Sequence, residues 1–156
     1  MADEFDFISA TDKPALLAFS TPEWLDTART SLQELGYKVH TAATHGDFVI
    51  RFSQFRYQVL ILEELFAANS IAENSTLELL QHMPMSQRRH AAVILFGPSF
   101  QTFTPMQAFQ QSVNSVINPS EIFLLKQLIE KSVADNNFFL HSYREAQANL
   151  YSMVKD

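Results

Sequence analysis

Five short apolar runs most constrain what this chain can fold into. Each run spans four to six residues and lies at least 15 residues from the next, a length and spacing that suit buried strands joined by longer connections. The runs are Ala15–Phe19, Lys38–Ala42, Val59–Leu62, Ala91–Phe96 and Val113–Ile117.

The segments between the runs begin with helix-start signals. After the first run, Ser20-Thr21-Pro22-Glu23 offers a capping residue, a proline for the first turn and an acid. Similar signals stand near Thr44, Ser75, Thr104 and Ser120. Alternating strands and helices require a parallel sheet that is covered on both faces, with right-handed crossovers. We therefore predict an α/β protein with a flavodoxin-like (βα)5 doubly wound sheet.

The last helix is predicted to extend beyond this domain. From Ser120 to Asp156 the chain has neither Gly nor Pro, and apolar positions recur through Phe139, Tyr143, Ala146 and Leu150. Either the helix continues, or it breaks at Asp135-Asn136-Asn137 and another helix follows. In both cases the apolar stripe must be buried, either by a second copy of the chain or by its own domain.

We divide the chain into a disordered N-terminal segment (1–12), a domain (13–133) and a C-terminal helical extension (134–156). The first 12 residues include four acids and no basic residue, unlike a secretory signal. The longest apolar stretch is six residues, whereas a membrane span needs about 20. These features predict a cytoplasmic protein without a membrane partner.

Composition excludes several classes of function. The formal net charge is −6, which argues against nucleic acid as a partner, because phosphate contacts need clustered cations. The chain has no Cys, so it has no thiolate chemistry, and its 3 Gly are too few and too isolated for phosphate-binding motifs. The five His lack metal-binding spacing. We expect no metal and no cofactor.

Two segments resemble the receiver domain of response regulators. They are 35–46, which begins Leu-Gly-Tyr-Lys-Val, and 57–63, with the sequence Tyr-Gln-Val-Leu-Ile-Leu-Glu. Asn118-Pro119 follows the fifth run, where receivers have Lys-Pro. The resemblance covers about 13–133. It implies a two-component phosphorelay protein, in which acids at the strand ends bind Mg²⁺, an Asp accepts the phosphoryl group, and a hydroxyl and a Lys respond to it.

None of these functional positions keeps the residue of the family. The acid pair falls on Phe19 and Ser20, the phospho-acceptor on Glu63, the hydroxyl on Gly97 and the Lys on Asn118. One carboxylate beside a Phe is a poor Mg²⁺ site, and no Lys neutralises a transferring phosphoryl group. We therefore interpret the chain as a pseudo-receiver that is not an enzyme and is not phosphorylated by the Asp–Mg²⁺ mechanism.

Two features of this vestigial pocket have alternative interpretations. Glu63 either mimics a phosphorylated acceptor, or it is a structural carboxylate that faces water or meets a helix N-terminus. The long segment 64–74, which includes Leu65, Phe66 and Ile71, either fills the pocket together with Phe19 or offers a docking surface.

The first functional hypothesis is a signalling or scaffolding module that acts by protein–protein contact, most simply as a homodimer through the last helix. Its predicted interaction face comprises Met106, Phe109, Val113, Ile122, Leu125, Phe139, Tyr143 and Leu150. The alternative is a ligand-binding or enzymatic domain with its site at the carboxyl ends of the strands. That site would be lined by Ser20, Glu63, Glu64, Ser99, Asn114 and Asn118. A third possibility is residual phosphorylation at a rearranged metal site.

Overall fold

Five parallel strands form a single sheet in the computed structural model, which describes residues 7–155. The strands are β1 (Lys13–Ala18), β2 (Tyr37–Ala42), β3 (Val59–Glu63), β4 (Ala92–Phe96) and β5 (Ser115–Ile117). Their spatial order is β2-β1-β3-β4-β5, so the strand order reverses at β1. The predicted flavodoxin-like doubly wound sheet is confirmed, and each strand coincides with one of the five apolar runs.

Helices cover both faces of the sheet. They are α1 (Pro22–Glu34), α2 (His45–Gln54), α3 (Ser75–His82), α4 (Met85–Arg88), α5 (Pro105–Gln110) and α6 (Leu125–Lys155). Strand residues such as Leu17 and Ile61 pack against α1 and α6, whereas Leu16 and Leu60 pack against α2, α3 and α5. Adjacent strand residues point to opposite faces, so fully apolar runs supply both halves of the core.

Helix α6 is continuous over 31 residues, and the break considered at Asp135-Asn136-Asn137 does not occur. The side chain of Asn136 is buried, and its Oδ1 accepts a hydrogen bond of 3.3 Å from Asn114 Nδ2. The amide is therefore satisfied by the segment that precedes β5 and does not compete with the helix backbone. Leu140 is the last buried residue, and residues 141–154 are all exposed.

Three local details differ from the sequence-based expectations. A short helix, α4, precedes β4, and a 3-10 helix at Pro119–Leu124 precedes α6. Residues 7–12 form a turn in which Asp12 accepts a hydrogen bond from the Ser9 amide, at 2.7 Å, and Ile8 packs on the core. The rest of the expected disordered segment, 1–6, lies outside the described residues. Over the range 7–155, no helix has the length and apolar character needed to cross a membrane.

His90 is an unusual polar group in this fold. Neither of its ring nitrogens, both buried, has a hydrogen-bond partner in the described part of the chain, and its ring stacks on Phe52 with centroids 5.9 Å apart. Burial, helped by the nearby positive charge of Arg56, lowers the pKa of His90 below its ordinary value.

This shift predicts a specific pH dependence of stability. The unfolded chain takes up a proton on His90 as the pH falls through 6.5, while the folded chain keeps the ring neutral. Protonation therefore favours unfolding, and the free energy of unfolding should fall below that pH. His90→Phe should flatten this part of the profile in urea titrations. Equal profiles for wild type and His90→Phe would contradict the assignment.

Candidate functional site

The carboxyl edge of the sheet brings the vestigial-pocket residues together. Phe19, Ser20, Glu63, Gly97 and Asn118 all lie at or directly after the ends of β1, β3, β4 and β5. The strand-end positions inferred from the sequence are thus neighbours in space, as parallel strand topology requires. The side chains of Phe19, Ser20, Glu63 and Asn118, however, already contact other groups of the protein.

Glu63, the last residue of β3, is buried and points at the start of α1. Its Oε1 accepts hydrogen bonds from the backbone amides of Ser20, at 3.3 Å, and Thr21, at 3.0 Å. The side chain of Thr21 does not cap α1, and the Glu63 carboxylate instead bonds the two amides that directly precede the helix. The positive end of the helix dipole favours a carboxylate there. Of the alternatives for Glu63, this geometry matches the one in which it meets a helix N-terminus.

Glu64 closes the pocket on the β4 side. Its Oε1 accepts from the Ser99 amide at 3.1 Å, and its Oε2 accepts from the Ser99 hydroxyl at 2.6 Å. The side chain runs directly against Gly97: a Cβ at position 97 would lie 2.4 Å from the Cβ of Glu64. The glycine thus occupies the position where receivers have a hydroxyl because Glu64 fills that space.

The connection after β3 is secured by Asn74, which the sequence analysis did not single out. Its buried Nδ2 donates to the carbonyls of Glu63 and Glu64, each at 3.1 Å, and its Oδ1 accepts from the Leu77 amide. Asn74 therefore caps α3 and holds the end of β3 at the same time. An Asn directly before a helical pattern is a known capping signal. Helix α3 begins at Ser75, where the sequence places its start signal, and Asn74 is the residue before it.

Segment 64–74 folds back over the pocket. Phe66 is fully buried, and its ring packs edge-on against His45 with centroids 5.2 Å apart. Ser20 Oγ accepts a hydrogen bond of 2.8 Å from the Ala67 amide, which ties the loop to the end of β1. Ala67 adopts a positive φ of 46°, a conformation uncommon for residues with a Cβ. Leu65, by contrast, is exposed.

Phe19 and Asn118 complete the edge. Phe19 is buried against Phe96, with ring centroids 5.6 Å apart, and Trp24 packs on Phe96 as well, at 5.2 Å. Asn118 Nδ2 donates to the Phe100 carbonyl at 2.7 Å, and its Oδ1 accepts from the Ser120 amide at 2.8 Å. Asn118 thus caps the 3-10 helix that begins at Pro119.

Asn114 does not belong to this site, and its inclusion in the predicted ligand-binding set is wrong. It precedes β5, at the amino edge of the sheet, where its Oδ1 accepts from the Val93 amide at 2.8 Å. Within residues 7–155, no group of three His, Asp or Glu side chains is arranged to hold a metal ion.

Only some residues of the predicted interaction face are exposed to solvent. Phe109, Met106 and Phe139 are 80%, 62% and 60% exposed, and Leu150 is also exposed. The Arg89 guanidinium lies over the Tyr143 ring, with its Cζ 4.4 Å from the ring centroid. Tyr143 remains 38% exposed.

Val113 and Leu125 are buried in the two core clusters, so their assignment to an exposed face is wrong; Ile122 is half-buried. Val113, shortly before β5, and Leu125, at the start of α6, are inward positions that pack on the core.

Two grooves lie beside this face, between α5 and α6 and between α4, α5 and α6. Their volumes are about 390 Å³ and about 730 Å³, and both are lined by Asn114, Asn136 and Phe139. Met85, Met106 and Phe109 line the larger one, with Arg88 and Arg89. Because Asn114 precedes β5, both grooves reach the amino edge of the sheet, opposite to the vestigial pocket. The smaller one continues along β5 towards Pro105 at the start of α5.

Solved structures identify the architecture, although no known family profile and no curated protein matches the sequence. The CheY-like receiver domain of Methanospirillum hungatei has 16% identity and a TM-score of 0.63, over 81% of this chain and 98% of that one. An orphan response regulator of H. pylori has 13% identity and a TM-score of 0.59, over 77% and 95%. The fold is that of a receiver domain.

A third similar structure is that of a dimer. The beryllofluoride-activated NtrC4 receiver domain, solved as a dimer, has 14% identity and a TM-score of 0.55, over 77% of this chain and 98% of that one.

The contact between Gly97 and Glu64 predicts a sharp difference between two glycines. Gly97→Ala should lower the free energy of unfolding by about 1–3 kcal/mol, because its Cβ overlaps the Glu64 side chain. Gly46→Ala is the matched control: it lies in α2, its nearest neighbour would be 3.8 Å away, and it should raise stability by about 0.5–1 kcal/mol. Urea unfolding measures both; a neutral Gly97→Ala would mean that Glu64 leaves this position at little cost.

Proposed function

We propose that this protein is a pseudo-receiver, a non-catalytic module of two-component signalling that acts by protein–protein contact. The single observation behind the proposal is the engagement of Glu63, the residue at the phospho-acceptor position. Its carboxylate is buried and accepts hydrogen bonds from the amides of Ser20 and Thr21, directly before α1, rather than being presented to solvent. An acceptor must be free to meet an incoming phosphoryl group in line, and this one is held by the amides that join β1 to α1.

The residues around Glu63 support the same proposal. Mg²⁺ requires several oxygen ligands in octahedral geometry, but Phe19 places a ring where the family has an acid. The other nearby carboxylate, Glu64, is turned away towards Ser99. Asn118 replaces the Lys with a neutral amide that is bonded to backbone groups. Among the described residues, nothing at this edge would therefore neutralise a transferring phosphoryl group.

The loop after β3 supports a fixed state rather than a switch. Phe66 fills the space beside the pocket, and Ser20, Asn74 and His45 each bond to the loop or its flanks. The same bonds weaken the ligand-binding alternative, because the polar groups that would receive a ligand already bond one another. We propose that the domain presents one constant surface to its partners.

The surface we assign to partners is the exposed part of α5 and α6. It comprises Met106, Phe109, Phe139, Tyr143 and Leu150. Exposed apolar side chains in such a continuous band mark interaction sites more often than scattered ones do. A receiver domain of similar fold forms a dimer. We propose self-association through this surface. The alternative is that a domain of a different protein binds the same surface.

Absence of phosphorylation is directly testable. Incubation with Mg²⁺ and acetyl phosphate should leave the intact mass unchanged, and Mg²⁺ with beryllofluoride should not shift the thermal midpoint. A receiver with the complete acid set serves as the positive control. A phosphoryl adduct on the wild type that is lost in Glu63→Gln would overturn the proposal. An adduct retained in Glu63→Gln would place the modification elsewhere and leave the assignment of Glu63 intact.

Self-association is tested by light scattering over a range of concentrations. The full chain should have the mass of a dimer, and Leu150→Asp should shift it to the monomer, because a charge on the apolar stripe must be desolvated in the interface. Ala148→Asp adds the same charge on the opposite side of the exposed helix and should leave the dimer intact. A full chain that stays monomeric at every concentration would contradict self-association.

A further inference from the structure

One stripe of residues on α6, apolar except for Ser132 and Asn136, keeps the same spacing along the whole helix. Residues Leu125, Ile129, Ser132, Asn136, Phe139, Tyr143, Ala146, Leu150 and Met153 alternate at steps of four and three. This is the 3.5-residue repeat of a two-helix coiled coil. The stripe therefore consists of one helix face, of which the first part lies on the domain and the second part lies outside it.

The first part of the stripe faces the protein's own sheet. Ser132 Oγ bonds to Ser115 Oγ at 2.6 Å, and Asn136 bonds to Asn114, both at the start of β5. Leu125 and Ile129 are buried on the same sheet face. The stripe residues from Phe139 onwards are exposed, and the helix projects about 22 Å past Leu140, its last buried residue, at 1.5 Å per residue.

This continuity decides the direction of a partner helix. A helix that packs on Tyr143, Ala146 and Leu150 lies directly below the amino edge of the sheet. If it ran parallel and in register, its preceding turns would continue into the space that the sheet itself occupies. An antiparallel helix instead ends at that edge, where the two grooves are open.

We propose that α6 pairs antiparallel with α6 of a second copy, and that the end of each helix enters the groove at the amino edge of the other copy. The proposal deepens the self-association proposed above and rests on it. Tyr143 then faces the partner's Ala146, and Phe139 faces the partner's Leu150. One more layer places the partner's Met153 beside Asn136, which lines both grooves together with Phe139.

Side-chain size supports this register. A large residue faces a small one when Tyr143 opposes Ala146, and core layers of this kind fill space evenly. In a parallel pair, Tyr143 would face Tyr143 and Ala146 would face Ala146, which gives one crowded layer and one hollow layer. The small Ala146 also leaves room for Arg89, whose guanidinium already covers part of the Tyr143 ring.

The size of the domains is compatible with the arrangement. Each domain packs on its helix over residues 125–140, so in this register the two domain centres are separated by about 36 Å along the helix pair. A compact domain of this length has a diameter of about 37 Å, which matches that separation. The domains therefore lie at opposite ends of the pair and meet only at their rims, and each exposes its Met106 and Phe109 to the helix end of the other.

Disulfide cross-linking tests this proposal, because the sequence has no Cys and an introduced Cys is the only thiol of the chain. Leu150→Cys and Phe139→Cys are prepared separately, one with a longer tag, and oxidised alone and after mixing with time for subunit exchange. Both positions are exposed, so the variants should fold. The expected result is a disulfide-linked heterodimer as the main product of the mixture, with little cross-linking of either variant alone. Ala148→Cys, on the outer side of the helix, should not cross-link with either.

Each other outcome overturns a definite part of the proposal. Strong cross-linking of Leu150→Cys with itself would show a parallel pair, so self-association would stand and the antiparallel direction would fall. A dimer by light scattering without any of these cross-links would place the interface elsewhere. A monomer without cross-links would remove the self-association on which this inference rests.

Discussion

Burial of the sheet on both faces is the constraint on which the rest of this structure depends. The inner strands β1, β3 and β4 are mostly apolar and leave no face for water, so α1 and α6 must cover one side of the sheet and α2, α3 and α5 the other. The strand ends then converge at one edge, where the receiver fold normally collects its charged groups. In this chain the same edge is closed by Glu63, Glu64 and Phe19, which serve the packing of the helices and loops.

The fold was predictable from the sequence because its signals are local and repeated. Each apolar run became a strand, and Pro22 and Gly36 stand at the two ends of α1 as capping rules predict. The continuation of α6 was not decided by such rules. The sequence Asp135-Asn136-Asn137 left a break and a continuous helix as alternatives, and in the structure the distant Asn114 bonds the Asn136 side chain within a continuous helix.

The site was predictable in position but not in its bonding. Glu63 could be placed at the end of β3 from the alternation alone, whereas its role depends on the amides of Ser20 and Thr21, 43 and 42 residues away in sequence. The fit of Glu64 against Gly97 and the double role of Asn74 are likewise tertiary contacts without a local signature. Asn114 illustrates the opposite error, because a polar residue near a strand was assigned to the wrong edge of the sheet.

The position of α6 at the end of the domain has a consequence for synthesis. One face of the sheet, including Ile94 and Ile117, acquires its cover from Leu125 and Ile129, which leave the ribosome after every strand has emerged. Until then the part of that face that α6 covers is exposed to solvent and to other nascent chains, and exposed apolar surfaces of this kind promote aggregation. The cover of this sheet face is therefore completed late, only after α6 has left the ribosome. The interval before that is the one in which chaperone binding would protect the chain.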